Sequence, residues 1–241
     1  ADEDIHVAVR HVRKATGADK VHVVAHCMGA AMLSLSLLEP PKHPTHGTPE
    51  QLAQSLDRIV MSQVTPTFML SPTNVARAHI FQWLRYYTPM GRYEFTPQDR
   101  QPYDDIIDQL FALVPYPAAD FPRENPSCPP WKRTPWVLTR HRMDALYGQT
   151  FKLTNMQDQV LAHIDDFFGP MSLTSLAEVI RYGRNRLVSR SDSTGPANRP
   201  SNHPAHIAAM FGGHPVLTLH SEDNGLVDPC TMAMTVAHFQ A

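Results

Sequence analysis

Between Lys20 and Pro40 the chain passes from a β-branched run, through a four-residue turn, into an apolar helix, and few folds accommodate that order. Val21-His22-Val23-Val24-Ala25 suits a strand buried on both faces of a parallel sheet. His26-Cys27-Met28-Gly29 leaves room only for a tight turn. Ala30 to Leu38 then reads as a buried helix, which Pro40-Pro41 cannot continue. Strand, tight turn and apolar helix in that order predict a βα unit.

The flanking segments extend the pattern. Residues 2–16 predict a helix, with Asp2, Glu3 and Asp4 at its positive end and Ile5, Ala8, Val9 and Val12 on one apolar face. Gly17 closes it. After a polar loop at 43–49 and a short helix over 51–56, Ile59 to Val64 predicts a second strand. A third is predicted at Pro215 to His220, followed by an acidic turn and a helix from Cys230. Residues 65–214 break this rhythm. They hold Pro-punctuated helical pieces rich in aromatics, among them Phe81, Trp83, Trp131, Trp136 and Phe167-Phe168, and a polar, turn-rich loop at 191–204. A structureless connection of that length is implausible inside a domain. The expectation is a mostly helical cap inserted at 65–214 between core segments 1–64 and 215–241, over the sheet edge where open α/β sheets bind ligands.

Cys27 is the residue in this arrangement that carries chemistry. Ala25-His26-Cys27-Met28-Gly29 fits a small-x-nucleophile-x-small pattern. A nucleophile on a sharp strand-to-helix turn takes strained backbone angles, and small residues two positions to either side relieve crowding. The helix N-terminus favours a thiolate, and the Met28 N–H is placed to donate to an oxyanion. A thiol also needs a base and an orienting group. The turn His220 to Pro229 fills the acid position, which falls on Asn224, with Asp223 and Asp228 as competitors. The same acidic side chains also suit a solvated surface turn. His238 comes one strand too early to be the base, and neither His22 nor His26 occupies a base position. The blander reading of Cys27 is a small buried core residue.

Composition narrows the classes. Net charge is −2 with no basic run, so no nucleic-acid surface is expected. Three widely spaced cysteines give neither a disulfide framework nor a zinc knot and fit a reducing, cytoplasmic setting. His43/His46 and His203/His206 lie on Pro-rich loops, so no metal is expected. No apolar run reaches the roughly 20 residues of a transmembrane helix.

The turn at Ala25–Gly29 resembles the nucleophile elbow of α/β-hydrolases. With Met61-Ser62-Gln63-Val64, Cys128 ahead of Leu146-Tyr147-Gly148, Phe167-Phe168-Gly169, and Asn224 with Pro229 and Thr231, the chain resembles the hydrolase-type region fused behind glucose–methanol–choline oxidoreductases of the cholesterol-oxidase-like kind. The resemblance implies an α/β-hydrolase-type parallel sheet with a large helical cap. In this chain the sheet would be incomplete, missing its N-terminal strands, its last strand and the triad histidine, as expected of a fragment. It implies an esterase- or thioesterase-like acyl hydrolase acting on an apolar, lipid or steroid-like ester through Cys27. The alternatives are a catalytically silent module accompanying a flavin oxidoreductase domain, or a partial gene product. No G-x-G-x-x-G occurs in the sequence, so no cofactor is expected within the chain itself.

Overall fold

The computed structural model describes residues 2–41, 43–87, 91–97, 99–112, 135–148, 156–157, 159–160, 163–188, 204–222 and 224–240. Contacts divide the chain into two units, residues 1–70 with 180–241, and residues 71–179.

The first unit is mixed α/β around a small parallel sheet. Helix α1 (Asp2–Thr16), strand β1 (Val21–His26), helix α2 (Met28–Leu38), helix α3 (Pro49–Gln54) and strand β2 (Leu56–Ser62) follow one another. Helix α9 (Pro204–Phe211), strand β5 (Val216–Leu219) and helix α10 (Cys230–Phe239) complete it. The strand order is β1-β2-β5, all parallel, with Ala25 beside Met61 and Met61 beside Thr218. The predicted elements thus form, with shifted bounds at β2. Thr48 and Gln51 build a reciprocal capping box with Pro49 in the first turn, so α3 starts and stops earlier than the expected 51–56. Leu56 is released to the strand, where it is fully buried, and Gln63, at φ 69°, ends β2 before Val64.

Helix α2 explains why this unit coheres. Its sequence is apolar on nearly all sides, and it packs against β1, α1, α3 and α9. Leu33 and Leu37 are fully buried with Leu56, Ile59, Met61, Ile207 and Phe211. Its two core serines return their hydroxyls to the preceding turn, Ser34 to the Ala30 carbonyl at 2.7 Å and Ser36 to that of Met32 at 2.9 Å, so neither hydroxyl is left unsatisfied. Helix α1 departs from expectation. Its most buried residue is His6, while Val12 is 45% exposed and Ala8 is exposed. The inward stripe runs through His6, Val9 and Arg13 instead of the apolar face at 5, 8, 9 and 12.

Among the described residues, helices cover only one face of the sheet. Ala25, Ile59 and Met61 are buried beneath the helices, whereas Val24 is 77% exposed and its neighbours on the opposite face, Leu217 and Leu219, are half-exposed. Parallel sheets ordinarily bury both faces. Replacing Val24 by lysine is expected to change stability by no more than about 0.5 kcal/mol and to reduce self-association at high concentration, measured by denaturant unfolding and light scattering.

The second unit contains helices α4 (Pro72–Tyr87), α5 (Pro102–Ala112), α6 (Pro135–Tyr147) and α7 (Ile164–Phe167), with short strands β3 (Arg92–Tyr93) and β4 (Met171–Ser172) paired antiparallel. Helix α8 (Leu173–Asn185) begins in it. The antiparallel pair was not anticipated in a helical cap. The bounds also differ from 65–214, because residues 66–70 are tied to the first unit. Val188 donates to the Pro66 carbonyl, Phe68 to that of Arg186, and Asp228 to that of Met69. Phe81, Tyr93 and Phe95 are buried edge-to-face against one another, so these aromatics build the core of the unit. Trp131, the side chain of Trp136, Cys128 and most of the predicted 191–204 loop fall outside the described residues. Among the described residues, no helix is long and apolar enough to cross a membrane.

Candidate functional site

The candidate site is built on the βα turn at the C-terminal end of β1. Cys27 takes φ 50°, ψ −119°, a conformation sparsely populated by any side-chain-bearing residue, and it forms the N-cap of α2. The turn is held from both sides. The Cys27 N–H donates to the Ser62 carbonyl at 2.9 Å, continuing the β1–β2 ladder by one residue, and the Cys27 carbonyl accepts from Ala30 and Ala31. His26 approaches Ser62 Oγ at 3.1 Å through Nδ1. Ala30, fully buried, lets the helix lie close to the strand. Sheet ladder and helix cap therefore hold Cys27 in place against its backbone strain.

The small residue at position 29 has a weaker cause than expected. A Cβ built on Gly29 meets nothing within 4 Å, so no clash demands glycine there. Gly29→Ala is expected to be tolerated, with a gain of about 0.4–1 kcal/mol from the stiffer unfolded chain, read from thermal or denaturant unfolding.

Burial raises the Cys27 thiol, and the hydrogen bond from the Met28 N–H offsets this only in part. The helix N-terminus therefore does not yield the thiolate that position alone suggested; at neutral pH the resting group is a thiol. The consequence for stability follows from linkage. The folded state favours the protonated sulfur, so that contribution is complete below the ordinary thiol value of 9.0 and disappears as pH rises through the raised folded-state value. Alkylation of Cys27 should still be accelerating above pH 9, followed by peptide mapping across a pH series.

The other predicted residues take different places. Asn224 sits at the same sheet edge, but its side chain is committed to the turn: Oδ1 accepts from the N–H groups of Leu226 and Val227, and Nδ2 donates to Gln63 Oε1 at 2.6 Å. Gln63 also accepts from the Ser221 N–H and donates its own N–H to the Leu219 carbonyl, which couples the ends of β2 and β5. Asn224 thus shapes the corner and orients no histidine. Asp228 Oδ1 accepts from the Cys230 N–H at the start of α10, and hydrogen bonding from Cys230 holds the carboxyl below its ordinary value. It caps a helix. Asp223 lies outside the described residues. His238 meets Thr67 Oγ1 at 2.9 Å.

Sequence reasoning passed over His220, placed as the last residue of a strand. It leaves β5 at the same C-terminal edge as Cys27, and both of its ring nitrogens are buried without a hydrogen-bond partner. The signal available in the sequence was its position immediately after the strand. Among the described residues, no imidazole or carboxylate is hydrogen-bonded to Cys27 Sγ, and no group of three or more His, Cys, Asp or Glu is placed to hold a metal ion. Compared with family models, curated proteins and solved structures, the chain matches none.

Proposed function

We propose that the chain carries an α/β-hydrolase-type core that performs acyl transfer to water, on an ester or thioester, through Cys27. The observation that supports this is the backbone of Cys27, φ 50° and ψ −119°, at a junction between a parallel strand and a buried helix. Strain of that kind is stored where a side chain must stand clear of the sheet. In the reaction, Cys27 sulfur forms a bond to the acyl carbon, the ester or thioester bond breaks, and the leaving group takes up the proton lost by the thiol. Water then cleaves the thioester intermediate and restores the thiol. The Met28 N–H stabilises the tetrahedral oxyanion.

The neutral thiol makes a proton acceptor necessary, and we assign that role to His220. Strands two apart lie about 10 Å from each other, a span that a cysteine and an imidazole side chain close together. The apolar, lipid or steroid-like nature of the acyl group is retained as part of this proposal; the buried aromatics of the second unit add nothing to it. Hydrolysis of activated thioesters should require Cys27, and His220→Ala should lower kcat by about 10²–10⁴-fold while Asn224→Asp restores no activity. Turnover unaffected by Cys27→Ala contradicts the assignment.

A second reading is favoured by one observation, the absence of any described side chain bonded to Sγ. In it the domain is a silent hydrolase-fold module accompanying a flavin-dependent oxidoreductase domain. A Cys27 thiol that reacts with electrophiles no faster than the exposed Cys230 thiol supports that reading.

A further inference from the structure

The first unit contains a second feature, away from the turn and unused by the chemistry proposed there. A half-open cleft of about 460 Å³ lies between α1, the turn at Pro44–His46 and α3, lined by His6, Arg10, Arg13, His46, Gln51 and Gln54 among others. We infer that this cleft is a binding site for a phosphate group, free or carried on a small phosphomonoester.

Charge supports the assignment first. Four of the lining side chains are cationic or can become so, and among the described residues neither Arg10 nor Arg13 makes an ion pair. The Glu3 carboxylate is shared by the two imidazoles of the turn, 3.7 Å from His43 and 3.5 Å from His46. Buried nitrogens without partners are the second support. His6 is only 6% exposed, yet its Nε2 has no hydrogen-bond partner, and the Arg13 Nε–H is buried and unpaired while Nη1 donates to Ser55 Oγ at 2.8 Å. Such groups are costly to leave buried unless something bonds to them.

The third support is the cradle itself. Gly47 has φ 105°, and a Cβ there would come within 3.0 Å of Gln51 Oε1 and 3.6 Å of His6 Nδ1. The glycine keeps the wall of the cleft open beside His6. Guanidinium forks match the oxygens of a tetrahedral phosphate better than a single carboxylate satisfies them. The cleft is larger than a phosphate ion, and Val9 and Leu52 supply apolar surface for a small organic remainder.

His6 adds a proton to the binding event. Burial holds His6 below its ordinary value, with the nearby charges of Arg10 and His46 acting in the same direction and a hydrogen bond to the Ser36 main chain opposing them. A bound dianion reverses the sign of the charge facing the ring from α1 and from the turn, so binding takes up protons.

Calorimetric titration of the whole chain with inorganic phosphate, and separately with glycerol phosphate, tests this. Saturable one-to-one binding is expected, with a dissociation constant below about 10 mM, a heat that varies with buffer ionisation enthalpy, and at least about tenfold weakening in Arg10→Gln and in Gln54→Glu. Both positions are exposed, so the fold is retained. Lys14→Gln, an exposed lysine outside the lining, should bind as the parent does. Tighter binding of the ester identifies a phosphomonoester as the ligand; equal binding identifies free phosphate. No saturation by either probe, or equal weakening by Lys14→Gln, overturns the site.

Discussion

Replacing Arg142 by alanine should destabilise the second unit by about 3–5 kcal/mol, enough to unfold a marginal domain. The side chain is fully buried in α6 and bonded at every nitrogen. Nε donates to Asp108 Oδ1 at 2.6 Å, Nη1 to the Glu94 carbonyl at 2.7 Å, and Nη2 to Asp104 Oδ1 at 3.0 Å. Burial works against the charge, yet the hydrogen bonds and field of Asp108 outweigh it and raise the guanidinium above its ordinary value. Alanine would leave the carboxylates of Asp104 and Asp108 buried, with Arg100 as the remaining partner of Asp108. Removing one member of such a set costs more than the set contributes, because the others stay desolvated. Circular dichroism during urea unfolding should show the loss, while Arg85→Ala, an exposed arginine on α4, should shift stability by less than about 0.5 kcal/mol.

The second large effect concerns sign more than size. At an ordinary helical position, alanine is more stable than glycine by about 1 kcal/mol. At position 27 the order should invert, with Cys27→Gly about 1–2 kcal/mol more stable than Cys27→Ala. Glycine tolerates φ 50°, ψ −119° without a Cβ penalty, whereas alanine keeps the strain and loses the thiol. Comparing the two variants with each other cancels the lost sulfur contacts and isolates the backbone. Chemical denaturation of both, under identical conditions, gives the difference directly. A value favouring alanine would mean that the turn relaxes once the thiol is gone.

Much of the first unit was legible in the sequence, and particular residues explain why. Val21 to Ala25 and Ala30 to Leu38 are locally consistent with their final states, and Pro40-Pro41 fixes the stop. The turn between them was legible because four residues leave one way to join a strand to a buried helix. Helix α1 was misjudged on its inward face, since periodicity counts apolar residues and cannot anticipate that His6 and Arg13 face a polar cleft. Strand β2 was placed late because Leu56 looks equally apolar in a helix or a strand, and only the Thr48 capping box decides between them. The antiparallel pairing of Arg92–Tyr93 with Met171–Ser172 joins distant residues too short in run to carry a pattern. Asn224 was read as chemistry from its offset alone; its bonds to Gln63 and to the 226–227 main chain could not be seen without the fold.

Nucleophilic attack by Cys27 is the claim on which the functional reading depends, and intact-mass spectrometry tests it most directly. After brief mixing with an activated aryl ester and acid quenching, one acyl group should be found per chain. Peptide mapping should place it on Cys27, and it should be absent from Cys27→Ser and Cys27→Ala. Acyl groups spread over Cys230 and surface lysines, with Cys27 unmodified, would contradict it.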